Sequence, residues 1–331
     1  MTTSVSPTFA DVEDAAARLK GQALITPLIE NPALNERAGG RILLKCETLQ
    51  VSGSFKFRGA YNRISRFSET EKQAGVVAYS SGNHAQGVAA AAQRIGTRAL
   101  IVMPADCPAV KIEGVKRFGG EVRLYDRYSE SREAIGAEIA AERGSVLVPP
   151  FDDFHVMAGQ GTAGLEMANQ ARAMGATLDV VSAPASGGGL IGGVALAMQA
   201  LSPSTEVFVA EPRDYDDYAN SLAAGKQTGW SNPKPPASFC DALLAPQPGN
   251  VTWPVNSRLL TGAVSATDAE VAEAMRFAFR WLKLVVEPGG ACALACLLNG
   301  RIDARGRTVG IVLSGGNVDP GLFARVLGGE L

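Results

Sequence analysis

Lys56 stands between two phenylalanines in the stretch Ser52-Gly53-Ser54-Phe55-Lys56-Phe57-Arg58-Gly59-Ala60. Burying an ammonium costs free energy, so apolar flanks are an unusual setting for a lysine. A desolvated lysine loses basicity, and its neutral amine is a nucleophile able to form a Schiff base. The bland alternative is a lysine that snorkels from the start of a helix. A second stretch, Ser186-Gly187-Gly188-Gly189, lies between an apolar strand pattern and a helical one. Consecutive glycines let the backbone turn tightly and aim several amides at one point, with a helix N-terminus behind them, which suits a phosphate. No Gly-Lys-Ser/Thr follows, so it is not a Walker loop. Its mid-chain position, with no acid at the required distance, argues against a dinucleotide fingerprint. A plain strand-to-helix turn is the alternative.

Ser80-Ser81-Gly82-Asn83-His84-Ala85-Gln86-Gly87 is also a strand-to-helix turn, and its amides and hydroxyls can hold an anion such as an α-carboxylate. His84 is one of only two histidines, and a structural role for it competes with that of a proton carrier. Ser314-Gly315-Gly316-Asn317 closes another strand, at the end where open parallel sheets bind ligands. A phosphate cradle and a desolvated lysine in one crevice imply a phosphorylated aldehyde held as a Schiff base, which is pyridoxal phosphate. Glu211 and Asp217, six residues apart across a turn, could share a hard cation through oxygen ligands, or could simply belong to a solvated acidic loop.

The elements that must position these groups alternate. Strand patterns at residues 41–47, 75–79, 99–103, 121–124, 145–148, 179–182, 206–210 and 308–313 are separated by helical patterns at 8–20, 60–67, 87–94, 108–118, 129–143, 159–174, 191–201, 267–284 and 290–298. Such alternation is the signature of βαβ units and a parallel sheet. With 331 residues, two lobes are the default, and Pro149-Pro150 marks a crossing between them. Residues 220–254 are rich in Pro and Gly and read as irregular packing around the site. Hydrophobic residues make up 46% and charged ones 19%, with a net charge of -2 and no basic block. Those values describe a core-forming globular chain and argue against nucleic-acid and membrane-surface partners. Five cysteines without a Cys-x-x-Cys pattern, and a polar start at residues 1–7 with no secretory signal pattern, point to a reduced cytoplasmic protein.

Four motifs in order, Ser-Gly-Ser-Phe-Lys-x-Arg-Gly-Ala, Ser-Ser-Gly-Asn-His-Ala-Gln-Gly, a Gly-rich loop before Leu-Ile-x-Gly, and Ser-Gly-Gly-Asn-Val-Asp, resemble the fold-type II pyridoxal-phosphate enzymes of the serine/threonine dehydratase and serine racemase group. The resemblance runs from Thr26 to Asp319. It implies two open twisted α/β lobes of the tryptophan-synthase-β type with the cofactor in the cleft between them. Residues 1–49 and 151–331 would form the large cofactor-binding domain, and residues 50–150 the small substrate-loop domain. Lys56 would carry the cofactor and act as base, with Phe55 near the ring and Asn83 at its 3′-oxygen. Ser186, Gly187, Gly188, Gly189 and Leu190 would hold the phosphate, Ser314 would face the pyridine nitrogen, and Glu287 would lie near the cofactor. Ser80, Ser81, Gly82, Asn83 and His84 would receive the substrate carboxylate. Glu211, Asp217 and the carbonyl of Tyr215 match the group's divalent-cation site, for Mg²⁺ or Ca²⁺. The group's members are commonly dimers or tetramers.

The implied reaction is β-elimination. A serine at the pyridine nitrogen cannot hold it protonated as an aspartate would, so the ring is a weaker electron sink and a Cα carbanion sheds its β-hydroxyl. The products are a 2-keto acid and ammonia, from serine, threonine or 3-hydroxyaspartate. Ser81 keeps a second outcome open, because the racemases of the group have serine on the face opposite the lysine, where it could return the proton to serine or aspartate. Arg132, in Ser129-Glu130-Ser131-Arg132-Glu133, could take a substrate's second carboxylate, or could be a solvated helix arginine paired with Glu130 or Glu133. A non-catalytic phosphate-ligand module is the reading from another class. A β-replacement synthase would look different around the lysine.

Overall fold

In the computed structural model, which describes residues 6–331, the chain carries ten strands. The reading of residues 1–5 lies outside the described residues. In chain order the strands are β1 (Leu28–Glu30), β2 (Arg41–Cys46), β3 (Val76–Tyr79), β4 (Ala99–Pro104), β5 (Glu121–Tyr125), β6 (Val146–Leu147), β7 (Val180–Pro184), β8 (Glu206–Pro212), β9 (Gly262–Ala266) and β10 (Thr308–Leu313). Six form one sheet in the order β1-β2-β10-β7-β8-β9, parallel except for the edge pair β1–β2. The other four form a parallel sheet in the order β5-β4-β3-β6. The interior strands are apolar almost end to end. Val180-Val181-Ser182-Ala183-Pro184 is buried at every position, as a parallel sheet with helices on both faces requires.

Each lobe has its own core. Phe57, Ile64, Ala85, Val88, Ile101 and Met103 belong to the core of the four-stranded lobe. In the six-stranded lobe one core gathers Leu44, Ile311 and Leu313 with the buried helix Pro288–Leu298, and another packs Val181, Val194 and Val312. The helix Asn83–Ile95 is buried from Asn83 to Ala92. Its alanines let it lie close under the sheet, and alanine loses no side-chain entropy on doing so.

Several boundaries differ from the sequence expectation, two of them because of glycine contacts. The helix containing Lys56 begins at Lys56 itself (Lys56–Ile64), and the long helix of residues 154–173 begins at Phe154, not Gly159. Glycines that look like helix breakers are contact points. A Cβ on Gly59 would lie 2.7 Å from the Val156 carbonyl oxygen, and one on Gly159 would lie 2.6 Å from the Arg58 carbonyl oxygen. The two helices cross there, and only glycine permits the approach. The expected single helix of residues 267–284 begins as read, with Thr267 and Glu270 in a capping box, but ends at Phe277 and continues as a wide turn to Leu282. Lys283, with φ 59°, closes it. The passage read as irregular, residues 220–254, contains the end of a helix Asp217–Ala224, a single 3₁₀ turn at Asp241–Leu243 and the start of a helix Trp253–Leu259. Strand β9 and the helix Pro320–Gly328 also went unread. Among the described residues no helix is long and apolar enough to cross a membrane.

Candidate active site

Lys56 opens its helix where the chain passes from one lobe to the other. Its Nζ donates to the Pro150 carbonyl at 2.7 Å, so the proline crossing receives the amine. Phe55 lies under it, 4.9 Å from Nζ to the ring centroid, whereas Phe57 turns away into the core. Burial pulls the Lys56 ammonium down to about 8, with the Glu287 carboxyl pulling the other way. Near-neutral pH therefore leaves a usable fraction of free amine.

A cavity of about 550 Å³ opens above this amine between the two lobes. Phe55, Lys56, Ser80, Ser81, Gly82, Asn83, His84 and Arg132 line it, together with Ser186 through Leu190, Glu287 and Ser314. Glu211, Tyr215 and Asp217 do not. They sit at the end of β8 and in the turn after it.

The glycine loop has its carbonyls tied back. Gly187 accepts from the Thr252 hydroxyl at 2.6 Å and the Tyr218 hydroxyl at 3.3 Å, and Gly188 accepts from the Asn256 amide at 3.1 Å. The loop then enters the helix Gly189–Leu201 through Gly188 at φ 89°. No Cβ fits. One on Gly187 would fall 2.0 Å from the Phe151 ring, one on Gly188 would fall 1.7 Å from the Tyr218 hydroxyl, and one on Gly189 would fall 2.5 Å from Gln160 Oε1. The helix start behind the loop supplies amide donors and a positive dipole end without a single charged side chain in the loop. The Ser186 hydroxyl accepts from the Ala245 amide at 3.0 Å and keeps its own proton to donate. Beside an amine of lowered basicity, this donor set fits a phosphate-bearing aldehyde.

On the other wall, Asn83 begins the helix after β3. It donates to Glu287 and accepts from the Asn317 amide at 2.8 Å, leaving one amide proton uncommitted. Glu287 is buried, and that burial raises its carboxyl to about 7, opposed mainly by the Asn83 amide. His84 Nε2 donates to the Val148 carbonyl at 2.9 Å, and Nδ1 has no partner among the described residues. Burial, with Lys56 nearby, drags its basicity down to about 3. The ring stays neutral at ordinary pH, which favours the structural role over that of a proton carrier. Ser314 is buried, and its carbonyl accepts from the Phe55 amide at 3.1 Å. Arg132 is at the wall with its Nε on Glu133 at 2.8 Å and its guanidinium over the Tyr79 ring.

Two residues past Lys56, Arg58 anchors the same helix turn. It binds Glu47 through Nε at 2.7 Å and Nη2 at 2.8 Å, and Glu166 through Nη1 at 2.7 Å and Nη2 at 2.8 Å. Lys45 joins Glu166 at 2.6 Å, and the Thr26 hydroxyl donates to Glu47 at 2.6 Å. Away from the cavity, Glu211 accepts from the amides of Tyr218 at 2.7 Å and Ala219 at 3.1 Å, while Asp217 Oδ2 is buried without a partner among the described residues. Burial raises both carboxyls, and the Glu211 charge pushes Asp217 further. The Tyr215 hydroxyl donates to the Pro236 carbonyl at 3.1 Å. Among the described residues no group of three or more His, Cys, Asp or Glu side chains is arranged to hold a metal. Thr252, Tyr218 and Asn256 were absent from the sequence expectation. Their partners are backbone carbonyls about 30 to 70 positions away, and no local pattern reports such a bond. Phe151, directly after the proline pair, carried a readable signal in its position.

The model of the family described as pyridoxal-phosphate dependent enzyme matches residues 20–315. An L-threo-3-hydroxyaspartate ammonia-lyase from Pseudomonas sp is 41% identical over 97% of this chain and 98% of its own. A serine racemase from Schizosaccharomyces pombe is 36% identical, with 98% of each chain covered. The structure of maize serine racemase superposes with a TM-score of 0.91 at 36% identity, again over 98% of both chains.

Proposed function

The chain belongs to the family of pyridoxal-phosphate dependent enzymes, and from that premise we propose that it is an ammonia-lyase that dehydrates and deaminates a β-hydroxy amino acid. L-threo-3-hydroxyaspartate is the foremost substrate and serine and threonine the simpler ones. The observation that carries the reading is Lys56, an amine of lowered basicity set in one cavity with two anion-accepting helix starts. The hydroxyaspartate ammonia-lyase from Pseudomonas sp supports the substrate.

Pyridoxal phosphate, when bound, supplies an aldehyde that joins an amine and a ring that accepts the electron pair left as the substrate's Cα proton departs. The amides of Ser186 to Leu190 and the Ser186 hydroxyl would hold its phosphate. Asn83 would offer its free amide proton to the 3′-oxygen, with Phe55 near the ring and Glu287 beside it. Ser314 would face the pyridine nitrogen with an uncharged hydroxyl. The turn of Ser80, Ser81, Gly82, Asn83 and His84 receives the α-carboxylate, and Lys56 Nζ removes the Cα proton. Water leaves across Cα and Cβ, and hydrolysis gives the 2-keto acid and ammonia. Arg132 is the cation proposed for a second carboxylate, reached by its Nη groups. Racemisation of serine or aspartate is the second reading. It is favoured by the Ser81 hydroxyl at the cavity wall and by the racemase relatives, with that hydroxyl returning a proton to Cα.

Glu211, Asp217 and the Tyr215 carbonyl are proposed to hold Mg²⁺ or Ca²⁺. The support is a pair of buried carboxyls with one oxygen unpartnered. A homodimer or homotetramer is supported by exposed apolar side chains, Ile25 at 74% and Trp281 at 54% among them with Leu24, Leu49 and Val285. Five free, buried cysteines suit a cytoplasmic setting. The test is an assay for keto acid, ammonia and D-amino acid with serine, threonine and both diastereomers of 3-hydroxyaspartate. The proposal expects keto acid and ammonia with hydroxyaspartate turned over fastest. D-amino acid alone would favour the racemase. No product, and no visible absorption band that borohydride abolishes, would leave only a phosphate-binding module.

A further inference from the structure

Among the described residues, two cationic side chains besides Lys56 reach the cavity wall, Arg132 and Lys111. Lys111 comes from the helix Ala109–Lys116, which packs on β5 and on the helix Asn83–Ile95. It crosses the cleft to Asp241 of the 3₁₀ turn Asp241–Leu243, with Nζ 2.5 Å from Oδ2. The partners are unequal. The Lys111 side chain is 18% exposed and the Asp241 side chain 59%. Both groups bear on the Glu287 carboxyl, in opposite directions, so the pair sits within electrostatic reach of the cavity floor.

An exposed acid holds its cation weakly, because water competes for it and salt screens it. Asp241 can return to water at little cost, while the largely covered Lys111 requires some anion beside it. A carboxylate arriving with a substrate meets that requirement and keeps the local charge unchanged. We propose that Lys111 is a specificity-determining residue for the second carboxylate of a four-carbon dicarboxylic substrate, and that Asp241 is the placeholder this carboxylate displaces. This rests on the ammonia-lyase reading above. Serine and threonine bring no second carboxylate, so with them the Lys111–Asp241 pair stays closed. Without Lys111, Asp241 would stand unpaired at the wall, where Glu133 is already matched by Arg132, and a second substrate carboxylate would be repelled by Asp241 as well as unheld.

The test uses holoenzyme with wild-type sequence, Lys111→Met and Asp241→Asn. It compares kcat/KM for L-threo-3-hydroxyaspartate with kcat/KM for L-serine, and measures succinate affinity by titration calorimetry. In Lys111→Met the ratio of the two specificity constants should fall roughly 10- to 100-fold, the size of one charge-assisted hydrogen bond, chiefly through KM. Succinate should weaken in step. Asp241→Asn should move succinate the other way, to tighter binding. A ratio within about twofold of wild type, with both substrates slowed alike, would mean that the pair only tethers the lobes. That overturns the inference and leaves the ammonia-lyase reading standing. If wild-type enzyme yields keto acid from neither substrate, the ammonia-lyase reading fails instead. Lys111 is then judged by calorimetry alone, where succinate binding that Lys111→Met does not weaken overturns it.

Discussion

Lys45, Arg58, Glu47 and Glu166 carry two positive and two negative charges into the interior, and each of the four carboxylate oxygens accepts at least one hydrogen bond from a neighbour. Glu211 and Asp217 carry two acids into the interior with no lysine or arginine among the groups that set their basicity. The first cluster is complete within the chain. The second is short of positive charge and leaves one oxygen bare. Balance distinguishes a buried charge cluster that serves the fold from one that waits for something. The balanced cluster holds the turn from which Lys56 projects. The unbalanced one is the proposed cation site.

Three measurements separate the two clusters. Arg58→Met strands Glu47 and half of Glu166 without their partner, and should cost about 3–5 kcal/mol of stability in urea unfolding. A loss below about 1 kcal/mol would show that the cluster is not what anchors the helix. Removing divalent cations with a chelator should lower stability, and restoring Mg²⁺ or Ca²⁺ to 100 times its dissociation constant should return about 2.7 kcal/mol. The response should vanish in Asp217→Asn, and a melting temperature indifferent to both cations would empty the proposed site.

The smallest effect is the pH slope, and its sign differs between the clusters. Burial alone would raise Glu47, but Arg58 and Lys45, aided by the Thr26 hydroxyl, hold it low. Its contribution is present above the ordinary carboxylate pKa and is lost as pH falls into acid. Burial raises both Glu211 and Asp217, with the Glu211 charge pushing Asp217 further and the Asp216 charge pushing both, so in metal-free protein their contribution is present below the ordinary pKa of about 4 and is lost as pH rises. Between pH 5 and 8, metal-free wild type should lose stability relative to Asp217→Asn. A flat difference in urea midpoints across that range would remove the claim that these acids repel.

What could be read from the residues was whatever needs a particular residue type in a local run. Gly187 to Gly189 read as a tight turn in which no other side chain fits, and the flanks of Lys56 raise a Schiff-base role without deciding it against a snorkelling lysine. Strands β3, β4 and β10 are legible as short apolar runs. The unread parts depend on contacts made at a distance. Gly59 and Gly159 carry the spelling of helix breakers, and only their mutual approach shows why helices run through them. Lys111 lies in a helix with no marked pattern, and its place at the cavity depends on Asp241, 130 positions later. Thr252 comes from a passage whose composition suggested no element, and Asn256 lies just past its end.

That tie-back also constrains how this chain can vary. The Tyr218 hydroxyl fills the space a Cβ on Gly188 would need, and the same hydroxyl holds the Gly187 carbonyl and accepts from Asn256 at 2.7 Å. Shortening Tyr218 still leaves Asn256 Nδ2 2.4 Å from such a Cβ, removes one of the two hydrogen bonds to the Gly187 carbonyl and strips a partner from a buried amide. Keeping Tyr218 forbids the side chain. Neighbouring positions are therefore expected to be non-additive, and a side chain at Gly188 requires coordinated changes around it. Variants that alter it must change two or three of these residues together. A library built one position at a time would record the loop as immutable and miss any working alternative.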